Sequence, residues 1–297
     1  MKKALKWIGI VVGSLVGLLL IAAIVLYAVG SHKLNRTYSY SVEGVTVPAD
    51  ADSIARGEHI VQTRDCTGCH GEDLSGTVMV EEGPLYVPAP NLTAGAGGVG
   101  ATFTDKDWVM ALRHGVGPDG RALAIMPAEV FTHLSDEDLG ALIAYLKQID
   151  PVDNELGERR VDLSAVLFVG AGMFPTAPEL IDHEAAHPGV AAGPTAEYGA
   201  YLAQSSGCTV CHGANLAGAS LPGAAPGDPP SPNLTPAGDP GTWSEADFVT
   251  AIRTGVTPEG TGLNPDEMPW RTYANFSDDE LAALWAFVHG VPAVASR

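Results

Sequence analysis

Cys66-Thr67-Gly68-Cys69-His70-Gly71 and, 142 positions later, Cys208-Thr209-Val210-Cys211-His212-Gly213 are the stretches whose reading decides the fold. The chain repeats itself around them. Leu74 and Gly76 return as Leu216 and Gly218, and Pro90-Asn91-Leu92-Thr93 returns as Pro232-Asn233-Leu234-Thr235, at the same separation. The interval slips to 140 where Phe103, Arg113, Gly115, Pro118 and Gly120 match Trp243, Arg253, Gly255, Pro258 and Gly260. It returns to 142 at Met126-Pro127 and Met268-Pro269, and holds through Ser135-Asp136 and Ser277-Asp278. Self-similarity of this length means one folding unit used twice.

Each copy reads as three helical segments around long loops. The first helix runs into the cysteine pair, over about Asp52–Thr63 and Ala196–Gln204. The middle helices start at Thr104 and Ser244, with Asp107 and Asp247 three residues on in a box-like cap. Gly115 and Gly255 open the Gly- and Pro-containing turns that end them. The last helices start at Ser135 and Ser277, and Leu139, Leu142, Ile143 and Leu146 share a face, as do Leu281, Leu284, Trp285 and Val288. No strand pattern competes, so the expected fold is all-α. Expected domains are residues 37–150 and 195–297, joined by a Pro- and Gly-interrupted linker at 151–194. Val166–Phe174 in that linker is apolar, suited to packing or to touching a bilayer.

Residues 1–36 stand apart. Ile8–Val29 is uncharged and long enough to cross a hydrocarbon core as a helix. Lys2, Lys3 and Lys6 precede it, which holds the N-terminus in the cytoplasm and sends the rest outside. The competing reading is a cleaved secretory signal, for which the apolar run is unusually long and Ala28-Val29-Gly30 a weak cleavage site. A single-pass helix in the cell (inner) membrane, with the repeats on the periplasmic side, is the expectation. The formal charge is −19. Setting aside the five positive charges of Lys2, Lys3, Lys6, Lys33 and Arg36 leaves −24 for the remainder. Such a surface repels nucleic acid and favours basic protein partners.

The chain's four cysteines all lie in the two pairs. Cys-x-x-Cys-His reads as covalent c-type haem attachment, the thiols adding to porphyrin vinyl groups and the imidazole reaching the iron. Zinc wants four well-spread ligands, and each cluster offers only two thiolates with an awkwardly placed neighbouring His. A thioredoxin-like pair wants a strand–helix context that the pattern lacks. The expected cofactors are therefore two covalently attached haem c groups, each with an iron. The sixth ligand follows by elimination. Of six methionines only Met126 and Met268 recur, each 56 residues after its histidine and each followed by proline. Proline disfavours helix in the residue before it, which leaves the thioether on an extended loop. No histidine outside the pentads is paired between copies. Candidate iron ligands are therefore His70, Met126, His212 and Met268. Arg113 and Arg253 also recur; a guanidinium suits a haem propionate or a structural ion pair equally well. Asn91 and Asn233 are candidates to brace the loop at the haem edge.

Cys-x-x-Cys-His-Gly, Pro-Asn-Leu-Thr, a helix ending in Arg-x-Gly-Val-x-Pro-x-Gly, and Met-Pro together resemble class I cytochrome c domains. The form that the chain resembles most is found in cytochrome subunits of membrane-bound alcohol, aldehyde and gluconate dehydrogenases. The resemblance covers about residues 50–150 and 195–295. It implies all-helical haem domains with His/Met ligation. It also implies an electron carrier rather than an enzyme, with redox protein partners: a dehydrogenase, a quinol-oxidising complex or a terminal oxidase. The chain departs from those subunits in having two pentads where they usually carry three, and in its N-terminal anchor. The competing function is a di-haem peroxidase, which needs one iron open to peroxide and hence two unlike copies. The repeated Met-Pro pair argues against it.

Overall fold

A computed structural model describes residues 2–42, 44–123, 125–221, 224 and 227–295; the extreme ends of the expected first and last segments, at 1 and 297, fall outside these. The chain opens with a single helix, α1 (Lys2–Asn35). Its apolar central window is unburied by the rest of the protein, and it is the one described helix long and apolar enough to span a membrane.

The first repeat follows as α2 (Ala51–Thr63), α3 (Cys66–His70), β1 (Thr77–Glu82), β2 (Leu85–Ala89), α4 (Asp105–His114), α5 (Ala128–Phe131) and α6 (Asp136–Leu146). Beyond α7 (Leu163–Gly170) in the linker, the second repeat is α8 (Ala196–Ser205), α9 (Cys208–His212), α10 (Glu245–Thr254), α11 (Trp270–Tyr273) and α12 (Asp278–Gly290). The protein is mostly helical. The antiparallel hairpin β1–β2 is an addition to the expected all-helical pattern, found among the described residues in the first repeat, and its ladder is irregular between Val78 and Val80.

Local chemistry sets the helix ends. Thr104 Oγ1 accepts from the Asp107 N–H while the Asp107 carboxylate accepts from the Thr104 N–H, closing both orphan donors of α4. Ser244 and Asp247 repeat this at α10. Both helices stop where Gly115 (φ 65°) and Gly255 (φ 68°) turn left-handed, a conformation glycine enters without Cβ strain. Ser135 and Ser277 cap α6 and α12.

In each repeat the first and last helices cross in contact at a glycine. A Cβ on Gly57 would stand 2.1 Å from the Ala141 carbonyl oxygen, and one on Gly199 would stand 2.0 Å from that of Ala283. This crossing lets Leu139, Leu142, Ile143 and Leu146 bury against Ile60, Val61 and Trp108, and lets Leu281 and Leu284 bury against Leu202 and Phe248. The two repeats then meet through the C-terminal end of α2. His59 Nε2 lies 2.8 Å from Glu280, Arg64 donates to Ser205 Oγ at 3.2 Å, and the Thr272 hydroxyl donates to Asp65 at 2.7 Å. The Tyr201 hydroxyl donates to Asp138, which is also paired with Arg56.

The linker pairs with β2 where Tyr86 and Arg160 exchange backbone hydrogen bonds of 2.9 and 2.8 Å, and its helix α7 packs on α1. Its later part touches both repeats, the His187 carbonyl accepting from the Asp136 N–H and Val190 packing on the second core.

Candidate cofactor site

The residue before each pentad is left-handed, Asp65 at φ 57° and Gly207 at φ 80°, so the chain turns sharply into a single helical turn carrying both cysteines and the histidine. That turn is held from outside. The Thr77 hydroxyl donates to the Cys69 carbonyl at 2.6 Å, and the Ser231 hydroxyl does the same for Cys211. His70 Nδ1 lies 2.8 Å from the Pro90 carbonyl oxygen, and His212 Nδ1 lies 2.9 Å from that of Pro232. A carbonyl only accepts, so Nδ1 carries the proton and Nε2 keeps its lone pair, the tautomer a metal-binding imidazole requires. Burial lowers both imidazole pKa values, and the carbonyl bond offsets this only partly, so both rings are neutral at pH 7.

A further layer fixes the carbonyls. Asn91 Nδ2 donates to the Val152 carbonyl at 2.7 Å while its Oδ1 accepts from the Thr93 N–H at 2.9 Å. Asn233 does the same with Val294 and Thr235, at 2.7 and 2.9 Å. Both asparagines are buried and stand behind the cavity wall, bracing the segment that orients the histidine.

Each pentad opens on a cavity, of about 800 Å³ in the first repeat and about 450 Å³ in the second. Both fall in the range of small-molecule and cofactor sites, about 300–1,000 Å³. Cys66, Cys69, His70 and Met126 share the wall of the first; Cys208, Cys211, His212 and Met268 share that of the second. Each methionine sits on a loop just before a short helix, α5 or α11. The remaining walls are largely apolar, with Trp108, Leu112 and Phe131 in one and Trp243, Phe248 and Phe276 in the other. The first cavity is larger because it runs on to α1 and the linker, reaching Tyr27, Ser31, Leu34, Asn35 and Val166. Met79, on the hairpin, is a second thioether in that wall; its sulfur lies 3.6 Å from the Thr77 hydroxyl that holds Cys69.

The recurring arginines stand away from the cavities. Arg113 and Arg253 line neither cavity. Arg113 is buried and lies 3.0 Å from Asp136, and Arg253 lies 2.9 Å from Asp278 and also donates to the Ala274 carbonyl. Each ties the middle helix to the N-terminal end of the last, which is the ion-pair alternative. Arginines at a cavity wall are instead Arg64, Arg121 and Arg159 of the first cavity; the described lining of the second contains no arginine or lysine. The repeat pattern gave no signal for them, because Thr261 stands at the position of Arg121 and Arg159 belongs to the linker.

Burial pushes the Cys66 thiol up to about 12, helped by Asp65, and the Cys208 thiol up to about 11. Thiols held protonated in this way are poor thiolate nucleophiles at neutral pH, which disfavours a redox disulfide pair. Two thiols, a lone pair on Nε2 and a thioether around one apolar cavity fit a haem attached through its vinyl groups. That set, on a short helical turn closed by the first and last helices of a small domain, defines a covalent haem-binding module.

The chain belongs to the cytochrome c family: residues 54–150 and 196–292 each match its model. Two such domains imply two covalently bound haem c groups. The chain is 27 % identical over 282 residues to the fructose dehydrogenase cytochrome subunit of Gluconobacter japonicus, covering 85 % of this chain and 55 % of that protein. It is 30 % identical over 278 residues to the alcohol dehydrogenase (quinone) cytochrome c subunit of Gluconobacter oxydans (strain 621H), covering 83 % and 56 %. A 105-residue stretch is 43 % identical to the gluconate 2-dehydrogenase cytochrome c subunit of Pantoea cypripedii, covering 33 % and 23 %. The chain thus spans little more than half the length of the first two relatives.

Proposed function

We propose that this protein is a membrane-anchored di-haem cytochrome that carries electrons for a dehydrogenase on the outer face of the cell membrane. In this reading Cys66 and Cys69 attach one haem and Cys208 and Cys211 the other. His70 with Met126, and His212 with Met268, would hold the two irons. Bound haem supplies one-electron chemistry at iron. The protein's own residues do the rest. The Pro90 and Pro232 carbonyls aim the imidazoles, the Met-Pro loops present the thioethers, and the apolar walls exclude water. Each site would offer its iron both an imidazole and a thioether, and the two sites are alike, which favours a carrier over a peroxidase.

The observation that carries the reading is the equivalence of the two sites: an imidazole bonded to a proline carbonyl and a proline-flanked methionine on each cavity wall. The dehydrogenase partner is supported by the relatives, which are cytochrome subunits of fructose and alcohol dehydrogenases, and the outward orientation by Lys2, Lys3 and Lys6 at the start of α1. Oxidised protein should show a thioether-to-iron charge-transfer band that falls by about half in Met126→Ala and again in the Met126→Ala/Met268→Ala double variant. A band untouched by either substitution, or a high-spin iron in the unaltered protein, would overturn the ligand assignment. A dehydrogenase retained after mild detergent extraction, able to reduce the haems with its own substrate, checks the partner.

A further inference from the structure

The linker helix α7 and the turn after it read Leu163-Ser-Ala-Val-Leu-Phe-Val-Gly-Ala-Gly-Met-Phe174, without a charged residue. The segment is poorly covered. Leu163, Phe168, Met173 and Phe174 are 62, 45, 63 and 53 % exposed, and Val169 is the only buried residue of α7. In a soluble setting such a concentration of large apolar side chains marks an interaction surface.

Its place against α1 identifies the partner. A Cβ on Gly30 would stand 2.0 Å from the Val166 carbonyl oxygen, and one on Gly170 would stand 2.0 Å from that of Leu26. The helices therefore touch backbone to backbone through small residues, as paired helices do in lipid. Val166 meets Gly30 and Gly170 meets Leu26, so α7 runs antiparallel to α1 and its C-terminal end lies level with residues inside the apolar run Ile8–Val29. The chain then returns to the surface. Glu179 pairs with Lys33 at 3.0 Å, beyond the end of that run. At about 1.5 Å per residue the tip lies roughly one helical turn below the end of the run, within the ~5–10 Å to which interfacial segments enter a bilayer.

The backbone at the tip suits hydrocarbon. The N–H groups of Ala171, Gly172 and Met173 donate to the carbonyls of Leu167, Val169 and Phe168 at 2.9, 3.1 and 3.1 Å. No water is required to satisfy them, which is the condition for backbone at membrane depth. The charged groups are kept at the base. Asp162 caps α7 by accepting from the Ala165 N–H at 2.9 Å, and Lys33 and Glu179 neutralise each other.

We infer that Leu163–Phe174 is a re-entrant hairpin whose tip enters the outer leaflet beside α1, seating the first haem domain on the membrane surface. This rests on α1 spanning the membrane. The exposed face of α7 is continuous with the lipid-facing surface of α1, so acyl chains are the occupant the geometry favours over a second protein. With one helix alone the exported part could swing about its tether. With two insertions it cannot, and the first cavity, walled in part by Tyr27 and Ser31, stays at the bilayer.

The test uses the full-length haem-loaded protein in phosphatidylcholine–phosphatidylglycerol nanodiscs containing a phospholipid with a diazirine on its acyl chain. After irradiation, lipid adducts are mapped by peptide mass spectrometry. Adducts are expected on residues 8–29 and on 163–174. In Phe168→Asp/Phe174→Asp, with haem absorbance unchanged, those on 163–174 should fall by at least about tenfold while those on α1 persist. Adducts on α1 alone in the unaltered protein would overturn the hairpin and leave the anchor standing. Adducts on neither would remove both. Protection of 163–174 by a co-isolated protein or a second copy, seen as protein–protein cross-links there in place of lipid adducts, would also overturn it.

Discussion

The bond between His70 Nδ1 and the Pro90 carbonyl ties a residue visible in the sequence to one that is not conspicuous there. The pentads were legible because covalent attachment demands two thiols and an imidazole within five residues, a purely local requirement. Met126 and Met268 were legible because the repeat turned one chain into a two-row alignment. Pro90-Asn91-Leu92-Thr93 was visible as a repeated string, yet its role depends on contacts with Val152, about 60 residues away. The arginines could not be assigned for the same reason: a guanidinium's partner is set by tertiary structure. Asn91 makes a direct test. Asn91→Ala leaves the Thr93 N–H unpaired and removes one of the donors to Val152, and should cost about 2–3 kcal/mol. The thermal midpoint should drop, and the potential of the first haem should shift as the His70–carbonyl bond loosens. An unchanged midpoint would mean that the loop is held by something else.

Among the elements, the middle and last helices of each repeat were read to within a residue or two at the ends that a side chain caps, whereas α7, capped by Asp162, was read only as an apolar stretch of the linker. Thr104, Ser135, Ser244 and Ser277 all stand at observed N-caps. The hairpin β1–β2 was missed. Its strands are short, β2 contains Pro88, and the matching stretch of the second repeat is rich in proline and glycine, so reading one copy through the other hid what only one possesses. The helix crossings went unread too, although Gly57 with Gly199 and Ala141 with Ala283 keep the 142-residue interval. Here the direction of a substitution is informative. In an uncrowded helix Gly→Ala gains about 1 kcal/mol. At Gly57 or Gly199 the added methyl meets a carbonyl oxygen, and overpacking should instead cost about 3 kcal/mol in denaturant unfolding. A gain in stability would show that the helices do not cross in contact there.

At the scale of the whole molecule the repeat predicted two domains but said nothing of how they meet. His59, Arg64 and Asp65 face Glu280, Ser205 and Thr272; the positions of His59 and Glu280 return as Tyr201 and Asp138, which also bond across the repeats but with changed residue types. A second long-range cluster joins the segment after α1 and the end of α4 to the linker: His114 Nδ1 lies 2.9 Å from His183 Nδ1, and Tyr40 stacks on His183 at 3.6 Å. Burial, then His183 and Arg113, hold the His114 imidazole at about 4, against an ordinary value of 6.5. Between those values the unfolded chain takes up a proton that the folded chain refuses, so stability falls as pH drops through that window. The loss from this residue should be about 2 kcal/mol between pH 7 and pH 5, and His114→Gln should flatten the profile measured by denaturant unfolding. Glu280 extends the decline to lower pH. Burial raises its carboxyl, but the hydrogen bonds from His59 and the Ser277 N–H hold it below the ordinary carboxylate value. Its contribution is therefore present near neutrality and is lost when the carboxylate is protonated.

Tyr27, Ser31, Leu34 and Asn35 belong to α1, and they also line the first cavity. Shaving that helix away would unroof the pocket. Water would reach the exposed edge, and solvent exposure is among the factors that set a haem's potential. A form lacking α1 would then be a different conductor from the full chain. For the first site, that helix is insulation.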